Sequence, residues 1–188
     1  IEGFGGNKDV VFNGFSIPSD GPGGANVEIR NVSIRAAGLI VGNTASTVKV
    51  VDCIIDGTSG PCRASALALA NGAVTTGVLD SNAGVAATDA ASVVVLEHCT
   101  LGSNIGAGYG VVAHNNSGSL TLRHCTVASD AGMLINVATT IEHCTFTGAN
   151  NYASAIAAGG TPTATVRASV SAAANAGNMT ETVVGLIS

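Results

Sequence analysis

One six-residue phrase occurs three times in this chain at similar intervals. Its copies are Leu96–Leu101 (LEHCTL), Leu122–Val127 (LRHCTV) and Ile141–Phe146 (IEHCTF). A phrase that returns at near-constant spacing is typical of a solenoid, in which successive copies stack and each phrase position forms a column along the molecule. Functional residues are therefore to be sought in columns rather than in contiguous motifs.

Looser copies extend the repeat through the chain. They share an apolar first residue, a turn-forming third residue and an apolar sixth residue, and they lie at Phe12–Ile17, Ile29–Ile34, Val50–Ile55, Val74–Leu79 and, shortened, Val166–Val170. The closing apolar residues recur about every 22 residues, a period typical of short-repeat solenoids. Together with the three strict copies, they predict about eight coils.

A second apolar segment follows each phrase, and the last such segment is expected at Thr182–Ile187. Within both kinds of segment, apolar residues alternate at a spacing of two among β-branched residues, and turn-forming residues separate the segments. This pattern predicts strands rather than helices. Coils that pair edge to edge lie about 4.8 Å apart, so the expected fold is all-β: a single parallel β-helix (solenoid) domain over residues 1–188.

The phrase apolar-x-Asn/His-Cys-Thr-apolar resembles the repeat of right-handed parallel β-helix proteins, the pectate-lyase-like superfamily. The resemblance covers nearly the whole chain and implies a right-handed coil whose third phrase position is a sharp corner, often an Asn in left-handed conformation. Gly, Asn, Asp and His tolerate positive φ better than most residues, and Thr76 is the exception to that set. The position holds Gly14, Asn31, Asp52, Thr76, His98, His124 and His143.

Composition restricts which residue types can form the core and which partners the chain can bind. Hydrophobic residues make up 46% of the 188 residues but aromatic residues only 3%, so the core has to be built from Ala, Val, Ile, Leu and Cys. Charged residues are 10% and the net charge is −5, with seven dispersed Lys and Arg. Neutralising phosphates needs clustered cations, so no nucleic-acid partner is expected. No apolar run reaches the about 18 residues of a membrane span.

Because charged residues are few, the outer walls have to be covered by Thr, Ser, Asn and Ala. Such a surface is typical of extracellular, cell-surface or particle-associated structural proteins, and we expect that localisation. The chain opens on Ile1 with no initiator Met and no signal-peptide pattern. We therefore expect a processed chain or a piece of a longer one.

Four cysteines share the fourth phrase position: Cys53, Cys99, Cys125 and Cys144. Alternation points this position inward, which predicts a buried column of thiols. Disulfides between neighbouring coils would be strained. Cys62 lies outside the column in a Gly-Pro-Cys loop, where it either pairs with Cys53 or stays a lone thiol, and the odd total leaves at least one thiol free.

Two further columns carry ionisable groups. His98, His124 and His143 occupy the corner of three consecutive coils, and imidazoles about 4.8 Å apart could share a metal ion. No neighbouring carboxylate completes such a site unless Glu97 or Glu142 turns towards it, so the sequence favours a structural corner column over a metal site. The second phrase position holds Glu97, Arg123, Glu142 and Arg167 in successive copies. Because the charge alternates in sign, we predict an ion-pair ladder that fixes the register.

The only candidate for catalysis follows the closing residue of three copies, at Arg35, Asp56 and Asp80. Two carboxylates beside a cation could bind Ca²⁺ or act as an acid/base pair on a sugar chain. The resemblance implies a comparable arrangement, because β-helix lyases use carboxylates with Ca²⁺ and a basic residue. Both aspartates also start ordinary turns, and the polygalacturonase-type Asn-Thr-Asp and Gly-His-Gly motifs are absent, as is Trp.

These observations favour a non-catalytic structural or surface-attachment solenoid without a cofactor. Open solenoid ends expose strand edges, so the chain is expected to associate with itself, end to end, into filaments or as part of a fibre or particle. The alternative is a carbohydrate-active enzyme, a polysaccharide lyase or hydrolase fragment with a glycan partner. Ice or mineral binding by threonine rows is a third hypothesis. It has one short row, Thr100, Thr126 and Thr145, and the sequence shows no paired Thr-x-Thr rows to support it.

Overall fold

The computed structural model describes residues 11–12, 15–17, 26–34, 39–41, 47–56, 83–87, 93–103, 109–113, 119–129, 133–135, 137–147, 153–155, 163–171 and 180–187. All regular secondary structure within these ranges is β-strand, and every strand pairing is parallel. The predicted all-β parallel solenoid is therefore confirmed. We call each level of the stack a rung, and residues that pair from rung to rung a column.

The strands that lead into the corner form the first wall. In stacking order they are β3 (Asn26–Arg30), β6 (Thr47–Val51), β9 (Val93–Glu97), β12 (Ser119–Arg123), β15 (Ala138–Glu142) and the first parts of β18 (Thr163–Ser171) and β19 (Thr180–Ile187).

The strands that leave the corner form the second wall. They are β1 (Val11–Phe12), β4 (Ser33–Ile34), β7 (Ile54–Asp56), β10 (Thr100–Ser103), β13 (Thr126–Ser129), β16 (Thr145–Phe146) and the second parts of β18 and β19. Because β18 runs through the corner without a break, the two walls form one 13-stranded sheet.

A separate six-stranded sheet forms the third wall. Its strands are β2 (Phe15–Ile17), β5 (Leu39–Val41), β8 (Ala83–Ala87), β11 (Tyr109–Ala113), β14 (Met133–Ile135) and β17 (Ala153–Ala155). All of these strands except β2 lie in second segments that the sequence predicts after a phrase copy.

The corner between the first two walls is a residue in left-handed conformation, as predicted. Five predicted corner residues have φ between 51° and 54°: Asn31, Asp52, His98, His124 and His143. Each corner N–H donates to a carbonyl on the next rung, for example His98 N to Arg123 O at 3.0 Å. The other two predicted corners, Gly14 and Thr76, lie outside the described residues.

The inward columns form one continuous apolar core. The first-position column of the inner rungs is fully buried at 0% exposure: Ile29, Val50, Leu96, Leu122, Ile141 and Val166. Burying one such side chain stabilises the fold by about 1.5–3 kcal/mol. Because the inner described rungs repeat the same pattern, the core stabilises them evenly.

The rung that carries β6 and β7 lies directly against the rung that carries β9 and β10. Strand β6 pairs directly with β9, and Ile54 of β7 pairs directly with Thr100 of β10. Two strands that share a backbone ladder leave no room for a third between them. Residues 57–82, which include the Val74–Leu79 phrase copy and Cys62, lie outside the described residues, and the number of coils stays a prediction.

The strand register also corrects the predicted bounds of the first phrase copy and of the copy in β18. Phe12 pairs with Ile34, so Phe12 rather than Ile17 closes the first copy, and Phe15–Ile17 belongs to the third wall. The copy in β18 is full length, because its sixth residue, Ser171, pairs with Phe146 and is buried.

The segment expected as a last third-wall strand is instead another phrase copy. It lies in β19, which pairs with β18 and has Gly185 at the corner with φ of 78°. Alternation at a spacing of two is the same on every wall, so periodicity alone cannot assign a strand to a wall.

Candidate functional site

Outward charges on the first wall form a continuous ladder. Glu97 contacts Lys49 at 2.9 Å (Oε2 to Nζ) and Arg123 at 3.4 Å (Oε1 to Nη1). Glu142 contacts Arg123 at 3.0 Å (Oε2 to Nε) and Arg167 at 3.4 Å (Oε1 to Nη1). The predicted alternation of charge is therefore confirmed, and it extends one rung further to Lys49. A separate pair, Glu28 and Arg30, lies within β3.

These contacts shift the acid–base equilibria of the ladder. The hydrogen bond from Lys49, with a smaller contribution from Arg123, holds the pKa of Glu97 below its ordinary value although partial burial acts in the opposite direction. Hydrogen bonds to Glu142 and Glu97 raise the pKa of Arg123. Both groups therefore stay charged over a wide range of pH.

The lowered pKa of Glu97 predicts a contribution to acid sensitivity. The ladder's stabilisation is present above the unfolded-state pKa of glutamate, about 4.3, and is lost as pH falls through the lower folded-state pKa. The free energy of unfolding is expected to fall more steeply below pH of about 4.3 in the wild type than in Glu97→Gln. Urea unfolding at a series of pH values measures this difference.

The matched control for that experiment is Glu28→Gln, which alters a glutamate of the same wall outside the ladder. Its pH profile is expected to follow the wild type more closely than that of Glu97→Gln. Parallel profiles for the wild type and Glu97→Gln would contradict the role assigned to the ladder.

The cysteine column lines the core, as predicted, with exposures between 0% and 2%, and no disulfide links its four members. Each Sγ lies 3.2–3.3 Å from the carbonyl oxygen two residues earlier, the residue before the corner. Ser169 continues the column, and its hydroxyl donates to Arg167 O at 2.9 Å. On these five rungs the fourth position thus holds a small side chain that can donate a hydrogen bond behind the corner.

Contacts within this column disfavour the thiolate form of Cys99 and Cys144. The hydrogen bond with Cys125 and burial raise the pKa of both Cys99 and Cys144 far above the ordinary value of a thiol. Reactive cysteines are exposed and have a lowered pKa. Cys99 and Cys144 therefore contribute to packing and not to nucleophilic chemistry.

The histidine column lies on the exposed corner. The His98 and His124 rings stack with centroids 4.9 Å apart and planes 5° from parallel, and the His124 and His143 rings stack at 4.9 Å and 3°. All three side chains are exposed. Among the described residues, no group of three or more His, Cys, Asp or Glu side chains is placed to hold a metal ion.

Direct pairing of β6 with β9 gives this column a fourth member. Asp52 is the corner residue of the preceding rung, and its N–H donates to Glu97 O at 3.0 Å. Its side chain is exposed. A carboxylate therefore stands one rung from His98, where the sequence interpretation had placed Thr76.

The candidate catalytic residues are only partly described. Asp56 ends β7, and its backbone partner on the next rung is Gly102 rather than Asp80. Arg35 and Asp80 lie outside the described residues. A site built from these three residues stays a prediction.

The first wall carries paired threonine rows that the sequence interpretation considered absent. The residue before each phrase is Thr on four consecutive rungs: Thr121, Thr140, Thr165 and Thr182. Two residues earlier, the same rungs carry Ser119, Ala138, Thr163 and Thr180. The last two rungs therefore present Thr-x-Thr pairs, and the described residues of both columns are exposed or half-buried.

Comparison with known protein families matches residues 9–170 to the family described as the right-handed β-helix region. The chain belongs to the right-handed β-helix family. The match covers the three walls as far as β18, and β19 extends the described stack beyond it. Neither the curated proteins nor the solved structures contain a match to this β-helix.

Among the described residues there is no helix long and apolar enough to span a membrane. The family match establishes the fold and names no activity, because one fold serves many functions. The function of this β-helix therefore has to be argued from its own columns.

Two features of these columns escaped the sequence interpretation. The sequence interpretation placed the Val74–Leu79 copy between the rungs of Asp52 and His98, so it missed their contact. The threonine rows lie outside the six-residue phrase, directly before its first residue. Aligning the residues that precede each phrase copy would have revealed the run of Thr121, Thr140 and Thr165.

Proposed function

We propose that this β-helix is a non-catalytic structural or surface-attachment module. The observation that carries the proposal is the orientation of its described polar groups along the stack. The charges of the first wall neutralise one another from rung to rung, from Lys49 to Arg167. An enzyme needs polar groups that converge on a substrate atom, whereas groups engaged along the axis stiffen a rod.

End-to-end association with a second copy is the more specific form of this proposal. On β19, the last described rung, Val183 is 44% and Val184 60% exposed. Val183 continues the first-position column, whose inner members are fully buried. A rung of a second copy stacked on β19 would bury this apolar surface, and a head-to-tail contact of this kind produces open filaments.

One residue of β19 limits that contact. Glu181 pairs by backbone register with Ala164. The preceding members of this column are buried: Val48, Val94, Leu120, Thr139 and Ala164. A charge at such a position disfavours stacking of another strand and is a known protection of sheet edges. Filaments are therefore expected to be concentration-dependent and to lengthen in Glu181→Ala.

Electron microscopy of the purified chain over a range of concentrations tests the assembly. Val184→Asp is expected to shorten or abolish filaments because it places a charge in the contact. The matched control is Val93→Asp, which alters an exposed valine (37%) of an inner rung and is expected to leave assembly unchanged. Monodisperse short rods at every concentration, in the wild type and in Glu181→Ala, would exclude end-to-end assembly.

Attachment to ice is a second candidate function, favoured by the paired threonine rows. Hydroxyls and methyls repeat about 4.8 Å apart between rungs and about 6.7 Å apart along each strand. A rigid array of this kind can order water in an ice-like arrangement and so hold the module to a crystal surface.

Ice-growth measurements separate this candidate from a purely structural role. The wild type is expected to shape ice crystals and depress their growth temperature, and Thr165→Tyr is expected to abolish the effect by disrupting the array. Thr147→Tyr, at an exposed position outside the threonine rows, is the matched control. Unshaped ice in the presence of the wild type would exclude ice attachment.

A carbohydrate-active role has weaker support, because the backbone partner of Asp56 on the next described rung is Gly102, which has no side chain for acid/base chemistry. It is tested with the double variant Asp56→Ala, Asp80→Ala on acidic and neutral glycans. Glycan cleavage by the wild type that disappears in the double variant would establish the alternative.

A further inference from the structure

The exposed corner carries, on consecutive rungs, four side chains of types that can ligate metal ions: Asp52, His98, His124 and His143. Their φ angles lie between 51° and 53°, so their side chains leave the backbone in the same direction. All four are exposed to solvent. Asp52 and His98 are 46 positions apart in the sequence, so only the stacking of the rungs brings them together.

We propose that this column binds divalent transition-metal ions of the zinc and copper class, each ion held by two neighbouring members. Imidazole nitrogen suits these metals, and a carboxylate oxygen also coordinates zinc. Water completes the coordination, because no three described side chains converge on one point. An ion bound in this way joins two rungs from outside the core.

Binding requires a small movement of the side chains. Metal–nitrogen bonds of about 2.05 Å place two nitrogens on one ion at most about 4.1 Å apart. The stacked rings are 4.9 Å apart, so neighbouring rings have to tilt towards each other. The rings are exposed, and the hydrogen bonds that fix the corner are made by the backbone, as from His124 N to Glu142 O. Tilting therefore leaves the fold unchanged.

The surrounding charges favour the Asp52 end of the column. The carboxylates of Glu97 and Glu142 are engaged by Lys49, Arg123 and Arg167, so they are not the ligands. Arg123 directly precedes His124 and opposes a cation there, whereas Asp52 adds an unlike charge beside His98. The pairs that contain His98 are the strongest binding positions.

Isothermal titration with Zn²⁺ and thermal unfolding in its presence test the proposal. Zn²⁺ is expected to bind the wild type and to raise its unfolding temperature, since a ligand of the native state stabilises it. Ca²⁺, which prefers oxygen ligands, is expected to do neither. A wild type without Zn²⁺-dependent heat or stabilisation would overturn the proposal.

Variants locate the site without disturbing the corner, because Asn tolerates positive φ. The double variant His98→Asn, His124→Asn leaves no two neighbouring ligands, and Zn²⁺ affinity is expected to fall at least about tenfold as two-point binding is lost. His143→Asn keeps two pairs, and His114→Asn removes a histidine outside the phrase, so both are expected to bind within about twofold of the wild type.

The metal-free unfolding temperature of the double variant distinguishes lost ligands from lost structure. An unchanged temperature together with weakened Zn²⁺ binding supports the assignment. Wild-type affinity in the double variant would place the metal elsewhere and refute it. Neither result bears on filament assembly, which is measured without added metal.

Discussion

Replacing Leu122 with alanine is expected to lower the free energy of unfolding by about 3 kcal/mol. Leu122 is fully buried, and its backbone partners in the column, Leu96 and Ile141, are also fully buried. The substitution removes apolar contacts on two rungs and leaves a cavity that the backbone ladder prevents from closing. Urea unfolding measures the change as a lower midpoint at constant m-value.

The control is Thr121→Ala, which alters the neighbouring residue of the same strand on the outward side. Thr121 is half-buried, and its substitution is expected to cost less than about 1 kcal/mol. Equal losses for the two variants would contradict the assignment of inward and outward columns in β12.

The second large effect is expected at the corner. His124 has φ of 51°, a conformation that costs about 1–3 kcal/mol for residues other than Gly and is least accessible to β-branched side chains. His124→Val is therefore expected to destabilise the fold by about 2 kcal/mol, whereas His124→Asn is expected to be nearly neutral. Thermal or urea unfolding of the two variants measures the difference.

The same reasoning predicts a stabilising substitution two rungs further along the corner column. Ala168 has φ of 44° although Ala gains nothing from the left-handed region, so Ala168→Gly is expected to stabilise the fold by about 1 kcal/mol. The next rung already has Gly185 at this position. A destabilised Ala168→Gly, or a His124→Val variant as stable as His124→Asn, would refute the corner assignment.

Much of the candidate surface could be predicted because it depends on local chemistry repeated at a fixed interval. Cys99, Cys125 and Cys144 read as a buried column from alternation alone, and the structure confirms it. The alternating Glu97, Arg123 and Glu142 likewise predicted the ion-pair ladder. His98 could be placed at a corner because its conformational preference is a property of the residue itself.

The sequence did not predict which rungs lie next to each other in a column. The sequence alone determined that the chain alternates strands with left-handed corners, and which phrase positions face inward, since both follow from side-chain size, polarity and backbone preference. Only the tertiary structure decided which rungs touch. Backbone ladders form between strands that are close in space whatever chain lies between them, so Asp52 stacks beside His98 and Thr163–Thr165 beside Thr180–Thr182.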